Sequence, residues 1–321
     1  MSYAEHLRMW HGLPVFDFPE AGDEDAVELP PAASVAWRIS TDTYDSEESW
    51  ADAFARFLAA VDAAEVRALV TGACEEAYDD EVGVKPVIAT LLGARAALPA
   101  LRALFVGDMT SEECEISWIN QGDVTELLEA FPGLEEFGAR GGTGLVFRPV
   151  AHRHLRLLVL EAGGLPAEVV RGVAAAELPA LEFLDLWLGT SEYGGDSGIE
   201  DVAPLLDGAR LPNLRHLGLR NSDYQDAIAA AVASAPVVPR LRSLDLSMGV
   251  LTDTGATALL EGQSLTHLER LDLHHNYLGD DLRKRFEATL GSAGVALDLD
   301  RGHADEHEYD GRVWRYVAVG E

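Results

Sequence analysis

The stretch Leu268-Glu269-Arg270-Leu271-Asp272-Leu273-His274-His275-Asn276-Tyr277-Leu278 opens on an apolar residue, two variable ones, an apolar residue, one variable and a third apolar. The frame recurs at Leu241/Leu244/Leu246, Leu214/Leu217/Leu219, Leu181/Leu184/Leu186 and Leu155/Leu158/Leu160. Looser copies stand at Leu134/Phe137/Ala139, Leu101/Leu104/Val106 and Val66/Leu69/Thr71, and a shortened one at Leu297/Leu299. The middle apolar residue therefore falls at 69, 104, 137, 158, 184, 217, 244, 271 and 297. Most of these steps lie near the roughly 20–29 residues of a stacked repeat array, and the longer ones mark insertions.

Between the frames lie helical patterns at Lys85 to Leu92, Val124 to Ala130, Pro166 to Ala176, Ile199 to Leu206, Asp226 to Ala233, Thr254 to Glu261 and Asp281 to Leu290. Pro86 suits the first turn of its helix, where a missing N–H costs nothing. Each repeat thus reads strand, turn, helix, return. Parallel strands sit about 4.8 Å apart whereas helices with side chains need about 10 Å, so the array must curve with strands inside and helices outside.

The run Leu251-Thr252-Asp253-Thr254-Gly255-Ala256 ahead of Leu268 to Leu278 resembles the ribonuclease-inhibitor-like class of leucine-rich repeats. The match is good from Leu241 to Leu278 and looser upstream. The resemblance implies an α/β leucine-rich-repeat solenoid, a curved parallel sheet on the concave side and helices on the convex side. In that class an Asn or Cys closes each strand turn; here only Asn276 and Cys74 do so, against Met109, Gly142, Gly163, Gly189, Ser222 and Gly249. Glycine at those turns is expected to supply positive φ instead. The segment from Gly107 to Gly142, with Ile116-Ser117-Trp118-Ile119 inside it, is similar to uncharacterised bacterial leucine-rich-repeat proteins, which bring no established activity.

At 321 residues the chain suits one continuous array, since each repeat packs only on its neighbours. We divide it into an N-terminal cap over 1–62, the solenoid over 63–300 and a C-terminal capping strand over 301–321. The first cap combines the alternating Val35 to Ile39 with an amphipathic helix from Ser46 to Val61, and the last rests on the alternation from Arg312 to Val319. The acidic stretch Pro19 to Pro31 reads as a loop.

The chain carries 55 acids against 24 bases, a formal charge of -31. Such a field repels phosphate backbones and anionic bilayers, so neither nucleic acid nor membrane is an expected partner; it favours solubility or steers toward a basic protein surface. The bases are 22 Arg and 2 Lys, which with the abundant Ala looks like the coding bias of a GC-rich genome. Two cysteines are too few to staple a secreted scaffold, no basic-then-apolar leader opens the sequence, and no run approaches the roughly 20 apolar residues of a membrane span. A cytoplasmic protein is expected.

In the frame, positions four and six point to the core and three, five and seven to the hollow. Down the array the hollow begins apolar, with Val70 and Phe105, and becomes charged and aromatic. Something should cover Val70 and Phe105: the inserted segment Asp108 to Asp123 with Trp118 and Ile119, the N-terminal stretch Leu13 to Phe18, or a docked partner. The second half offers Phe183, Asp185, Trp187, His216, Arg220, Asp245, Asp272 and His274, joined by Tyr193 from the Gly189–Ile199 insertion, as partner-binding residues. Trp and Arg are enriched at binding hot spots. The aspartates are also ordinary repeat text, and Trp187 would equally pack beneath the insertion.

No phosphate loop, nucleotide fingerprint or nucleophile elbow is present. Asp108, Glu112, Glu113 and Glu115 form a carboxylate cluster of a kind expected by chance in so acidic a chain, and His274-His275 beside Asp272, or His303/Asp305/His307/Glu308, carry weak metal-ligand spacing. The expectation is a non-enzymatic protein-interaction module without cofactor or metal. The alternatives are a self-assembling scaffold and an enzyme subunit using the acidic loop 108–123.

Overall fold

A computed structural model describes residues 5–22, 27–44, 48–304 and 306–321. Twelve strands form one sheet in chain order: β1 (Met9–Trp10), β2 (Leu13–Asp17), β3 (Ala36–Ile39), β4 (Ala68–Thr71), β5 (Ala103–Val106), β6 (Glu136–Arg140), β7 (Leu157–Glu161), β8 (Phe183–Gly189), β9 (His216–Ser222), β10 (Ser243–Asp245), β11 (Arg270–Asp272) and β12 (Ala296–Asp298). Every neighbouring pair from β2 onward is parallel, and β1 alone turns back on β2. Helices α1 (Trp50–Ala60), α2 (Lys85–Gly93), α3 (Thr125–Ala130), α4 (Ala167–Ala175), α5 (Ile199–Asp207), α6 (Gln225–Val232), α7 (Asp253–Glu261) and α8 (Asp280–Thr289) alternate with the strands from β3 to β12, except that β6 passes to β7 without a helix. The chain is an α/β leucine-rich-repeat solenoid.

Register follows from the frame. The middle residues Leu69, Leu104, Phe137, Leu158, Leu184, Leu217, Leu244, Leu271 and Leu297 pair Cα to Cα across the sheet. All but Leu297 are buried in one continuous core with Val170, Val202, Ile228 and Leu259 of the helices. Burial of each such side chain is worth about 1.5–3 kcal/mol, and a register slip of one residue would turn the whole row outward. Local signals set the helix starts: Ser49 Oγ accepts the Asp52 N–H at 3.1 Å, and Pro86 sits in the first turn of α2.

The N-terminal segment adds strands to the same sheet. Leu13 to Phe18, one candidate cover, contains β2, which extends the same parallel sheet; the amphipathic helix is α1, and its expected first residues 46 and 47 lie outside the described residues, as do 23–26 of the expected acidic loop. At the far end the sheet stops at β12. Residues Arg312–Trp314 do not extend it: they form β14, which pairs with β13 (His307–Tyr309) in a separate hairpin.

The turn expectation needs one correction. Of the closing glycines, only Gly189 has positive φ (70°). The left-handed residue usually stands one place earlier: Gly141 at 108°, Asn221 at 54°, Met248 at 68° and His275 at 52°. Gly142, Gly163 and Gly249 instead permit close approach, because a Cβ there would collide with the Gly164 carbonyl, the Gly320 carbonyl and the Gln225 amide respectively. Asn276 does act as the buried turn amide, its Nδ2 donating to the Leu273 carbonyl at 2.6 Å and its Oδ1 accepting the Leu278 N–H at 3.2 Å.

Candidate protein-binding face

Cover at the apolar end of the hollow comes from the chain itself. The β1–β2 hairpin turns through His11 (φ 54°) and Gly12 (φ 67°) and lays Leu7 and Trp10 over Ala36, Ala68, Val70, Ala103 and Phe105. Trp10 meets Phe105 edge-on with ring centroids 5.2 Å apart. Gly138 is small because a Cβ there would overlap the Phe105 ring and lie 3.2 Å from Trp10. Of the other candidate cover, Trp118 and Ile119 do not lie over this patch: Ile119 belongs to the main core, and Trp118 is 57% exposed.

Ion pairs fasten this lid. Asp108, fully buried, receives the Leu7 N–H on both oxygens at 3.1 Å and faces Arg38 Nη1 at 3.0 Å and Arg140 Nη1 at 3.4 Å. His6 bridges Asp108 and Glu113 at 3.6 and 3.3 Å. These hydrogen bonds, Asp108 first, push the His6 pKa up to about 9, and together with the two guanidinium groups they hold the Asp108 carboxyl below the usual carboxylate range despite its burial. Arg140 continues the chain to Glu161 at 2.7 Å. Asp108 is therefore an anchor for the lid, and Cys74 and Cys114 are buried with pKa values pushed up to about 12, far from a nucleophilic thiolate.

In the second half, position-three residues stand in register along the wall: Leu157, Phe183, His216, Ser243, Arg270 and Ala296. Phe183 and His216 are half-exposed and stacked, centroids 3.8 Å apart and planes 7° apart. His216 Nδ1 meets Ser243 Oγ at 2.7 Å. Burial, then the Arg220 charge, lowers the His216 pKa to about 4, so the ring is neutral near pH 7.

Five of the expected contact residues, at positions five and seven of the same face, are covered. Asp185, Trp187, Arg220, Asp245 and Asp272 are all buried. Arg220 is shared by Asp185 at 3.1 Å and Asp245 at 3.3 Å, and its guanidinium lies 5.3 Å from the Trp187 ring centre. Desolvation lifts the Asp185 pKa to about 6 against the pull of Arg220. Trp187 is not displayed to the hollow; it packs with Ile116, Met248 and Val319, so its cover is the segment near residue 319 and not the Gly189–Ile199 insertion. Tyr193 is half-exposed, its ring against Gly320. Among the described residues Asp185 Oδ1, Trp187 Nε1 and His216 Nε2 have no hydrogen-bond partner.

Arg270 is likewise shared, 2.7 Å from Asp272 and 3.5 Å from Asp298, and His274 Nδ1 lies 2.7 Å from Asp272 Oδ1. Asp272, His274 and Asp298 have the donor set and proximity, within 4.8 Å, to hold a divalent ion, but the Arg270 guanidinium already engages both carboxylates. His275 does not join them, since its Nε2 contacts the Tyr316 carbonyl at 3.0 Å; Asp305, of the other weak metal spacing, lies outside the described residues.

Sequence reasoning missed Leu7, Trp10 and the Asp108 ion-pair network. The signal for the lid was present in His11-Gly12, a two-residue turn flanked by apolar residues, which is a hairpin pattern.

Comparison with known proteins agrees with the fold. No family model matches the sequence. Over 117 residues, 34% of the chain, it is 38% identical to a protein of Arabidopsis thaliana described as an F-box/LRR-repeat protein, of whose length the match spans 44%. The structure is similar to the crystal structure of a Bacteroides fragilis structural-genomics target, with a TM-score of 0.73 and 27% identity, covering 84% of this chain and 73% of that one. These likenesses define a repeat protein of the leucine-rich type. Among the described residues no helix is long and apolar enough to cross a membrane.

Proposed function

We propose that the chain is a non-enzymatic protein-interaction module, cytoplasmic and of the ribonuclease-inhibitor-like repeat class, that seats a protein partner on the concave wall. The carrying observation is the stacked Phe183–His216 pair, half-exposed on a wall whose other aromatic residues are covered by the chain itself. Leu157 and Val159 flank it on one side, Ser243, Arg270 and His274 on the other. Fixed strands hold these side chains in place before binding, so association loses little conformational entropy. The buried Asp185, Trp187, Arg220, Asp245 and Asp272 act as the layer that holds them.

A basic partner is favoured. Each wall arginine is shared by two aspartates, which leaves net negative charge under the wall, and the overall charge of -31 steers cations and repels nucleic acid and anionic membranes. A photo-crosslinker at position 183 or 216 should capture the partner that the same group at Glu287, on the convex helix α8, does not. Equal yields from both faces would reject the concave reading.

A self-assembling scaffold is the second reading, favoured by one observation: Tyr309, Val313, Trp314 and Tyr316 are exposed on or beside the β13–β14 hairpin, with Tyr309 at 77%. A concentration-dependent mass in light scattering, lost in Trp314→Ala, would establish it; a constant mass would remove it.

A further inference from the structure

Beyond the hairpin, residues 315–321 run back across the turns at the strand ends, opposite to the order of the repeats. Tyr316 is held at Tyr277, its N–H donating to the Tyr277 hydroxyl at 2.9 Å and its carbonyl accepting from that hydroxyl at 2.7 Å and meeting His275 Nε2 at 3.0 Å. Ala318 N–H donates to the Met248 carbonyl at 2.8 Å. Asn221 takes Val319 by both backbone groups, Oδ1 accepting its N–H at 3.0 Å and Nδ2 donating to its carbonyl at 2.6 Å. Ser117 Oγ donates to the Gly320 carbonyl.

The three holding positions are equivalent. Asn221, Met248 and His275 each stand four places after the marker leucines 217, 244 and 271, and each has left-handed φ. A side-chain-bearing residue in that conformation costs roughly 1–2 kcal/mol, and such strain collects at sites that bind. The ladder presents a side-chain amide, a carbonyl and an imidazole to a passing backbone. Beside it, Ile116, Trp187 and Met248 form an apolar socket filled by Val319, and Gly163 leaves room for the Gly320 carbonyl.

We infer that this rim is a peptide-binding groove occupied in cis by residues 316–320, and that it accepts in trans an open, non-helical segment of a partner protein bearing a Val-Gly pair. The amide of Asn221 reads backbone whatever the sequence, the socket selects a small branched side chain, and Gly163 together with the ring of Tyr193 leaves space only for glycine after it. The cis segment arrives from a hairpin that makes no strand pairing with the twelve-stranded sheet, and its short tether keeps it at a local concentration of order millimolar. The groove shares Trp187 with the buried residues that support the Phe183–His216 wall, but the inference does not depend on that reading.

The probe is a fluorescently labelled, end-blocked peptide Tyr-Val-Ala-Val-Gly, titrated against the full chain by anisotropy. Val319→Glu and Ala318→Pro, each empties the groove without altering it: the first cannot enter the socket, the second lacks the N–H donated to Met248. Both are checked for cooperative melting, and either one that folds serves. The inference predicts peptide affinity at least about tenfold tighter for the emptied variant than for the parent, and loss of that gain when Asn221→Ala is added. A folded, emptied variant that does not bind the peptide, or a gain untouched by Asn221→Ala, overturns it. A parent dimer that the emptying variant dissolves would name a second copy as the occupant and overturn the assignment to a partner.

Discussion

Asn221 and Val319 are 98 residues apart in sequence, yet one side-chain amide closes on both backbone groups of the valine at 2.6 and 3.0 Å. The same amide stands at φ 54°, where alanine is strained and glycine is not. Asn221→Gly therefore isolates the lost hydrogen bonds from backbone strain. We expect it to abolish amide-exchange protection at Ala318 and Val319 while leaving protection of β9 to β11 intact, and Asn221→Ala to destabilise the fold by about 1–2 kcal/mol more than the glycine variant. Unchanged protection at Val319 would show that the segment is held by other contacts.

At the opposite end, Gly138→Ala places a methyl group against Phe105 and Trp10. Overpacking of this kind costs about 1–3 kcal/mol and should raise the solvent exposure of Trp10, read from its fluorescence. Gly93, at the end of α2, has open space around it, so Gly93→Ala should stabilise by about 0.5–1 kcal/mol. Chemical denaturation of the two variants should move in opposite directions.

Two histidines set opposite pH limits. His6 has a folded-state pKa raised from 6.5 to about 9 by Asp108 and Glu113 against the repulsion of Arg38, so the lid's stabilisation is complete below about pH 6.5 and is lost as pH rises through 9. His216 is lowered from 6.5 to about 4, so the unfolded state binds more protons and stability falls as pH drops from 6.5 toward 4. Denaturation midpoints measured from pH 4 to 10 should peak between these windows. His6→Gln should flatten the alkaline limb alone; an unaltered limb would show that the ion-pair network does not hold the lid.

Adjacent residues of β8 should behave differently. Leu184 is fully buried, and its replacement by alanine should cost about 2–5 kcal/mol. Phe183 loses mainly its stacking on His216, so Phe183→Ala should cost about 1 kcal/mol. Similar losses in thermal melts would contradict the assignment of the two faces.

How far the sequence carried this picture follows from where each contact originates. Leucine spacing was sufficient for the frame, the facing of positions three to seven and the helices, because these depend on residues within one repeat and its neighbour. The helix α1 (Trp50–Ala60) and the strand β3 (Ala36–Ile39) were legible for the same reason. What stayed hidden is contact between remote segments. Leu7 on Asp108 and Val319 on Asn221 are separated by 101 and 98 residues, and no period links them. Trp187 thus reads as displayed from its frame position and is buried by a segment that the frame does not describe. His216, at position three, is only half-buried.

The concave wall as a binding face is tested most directly by calorimetric affinity for the crosslinked partner in three variants. Phe183→Ala and His216→Ala should each weaken binding at least about tenfold, the range of a hot-spot residue, while Glu287→Ala on α8 should leave it unchanged. Full affinity in both wall variants, or a loss confined to the convex one, would contradict the account.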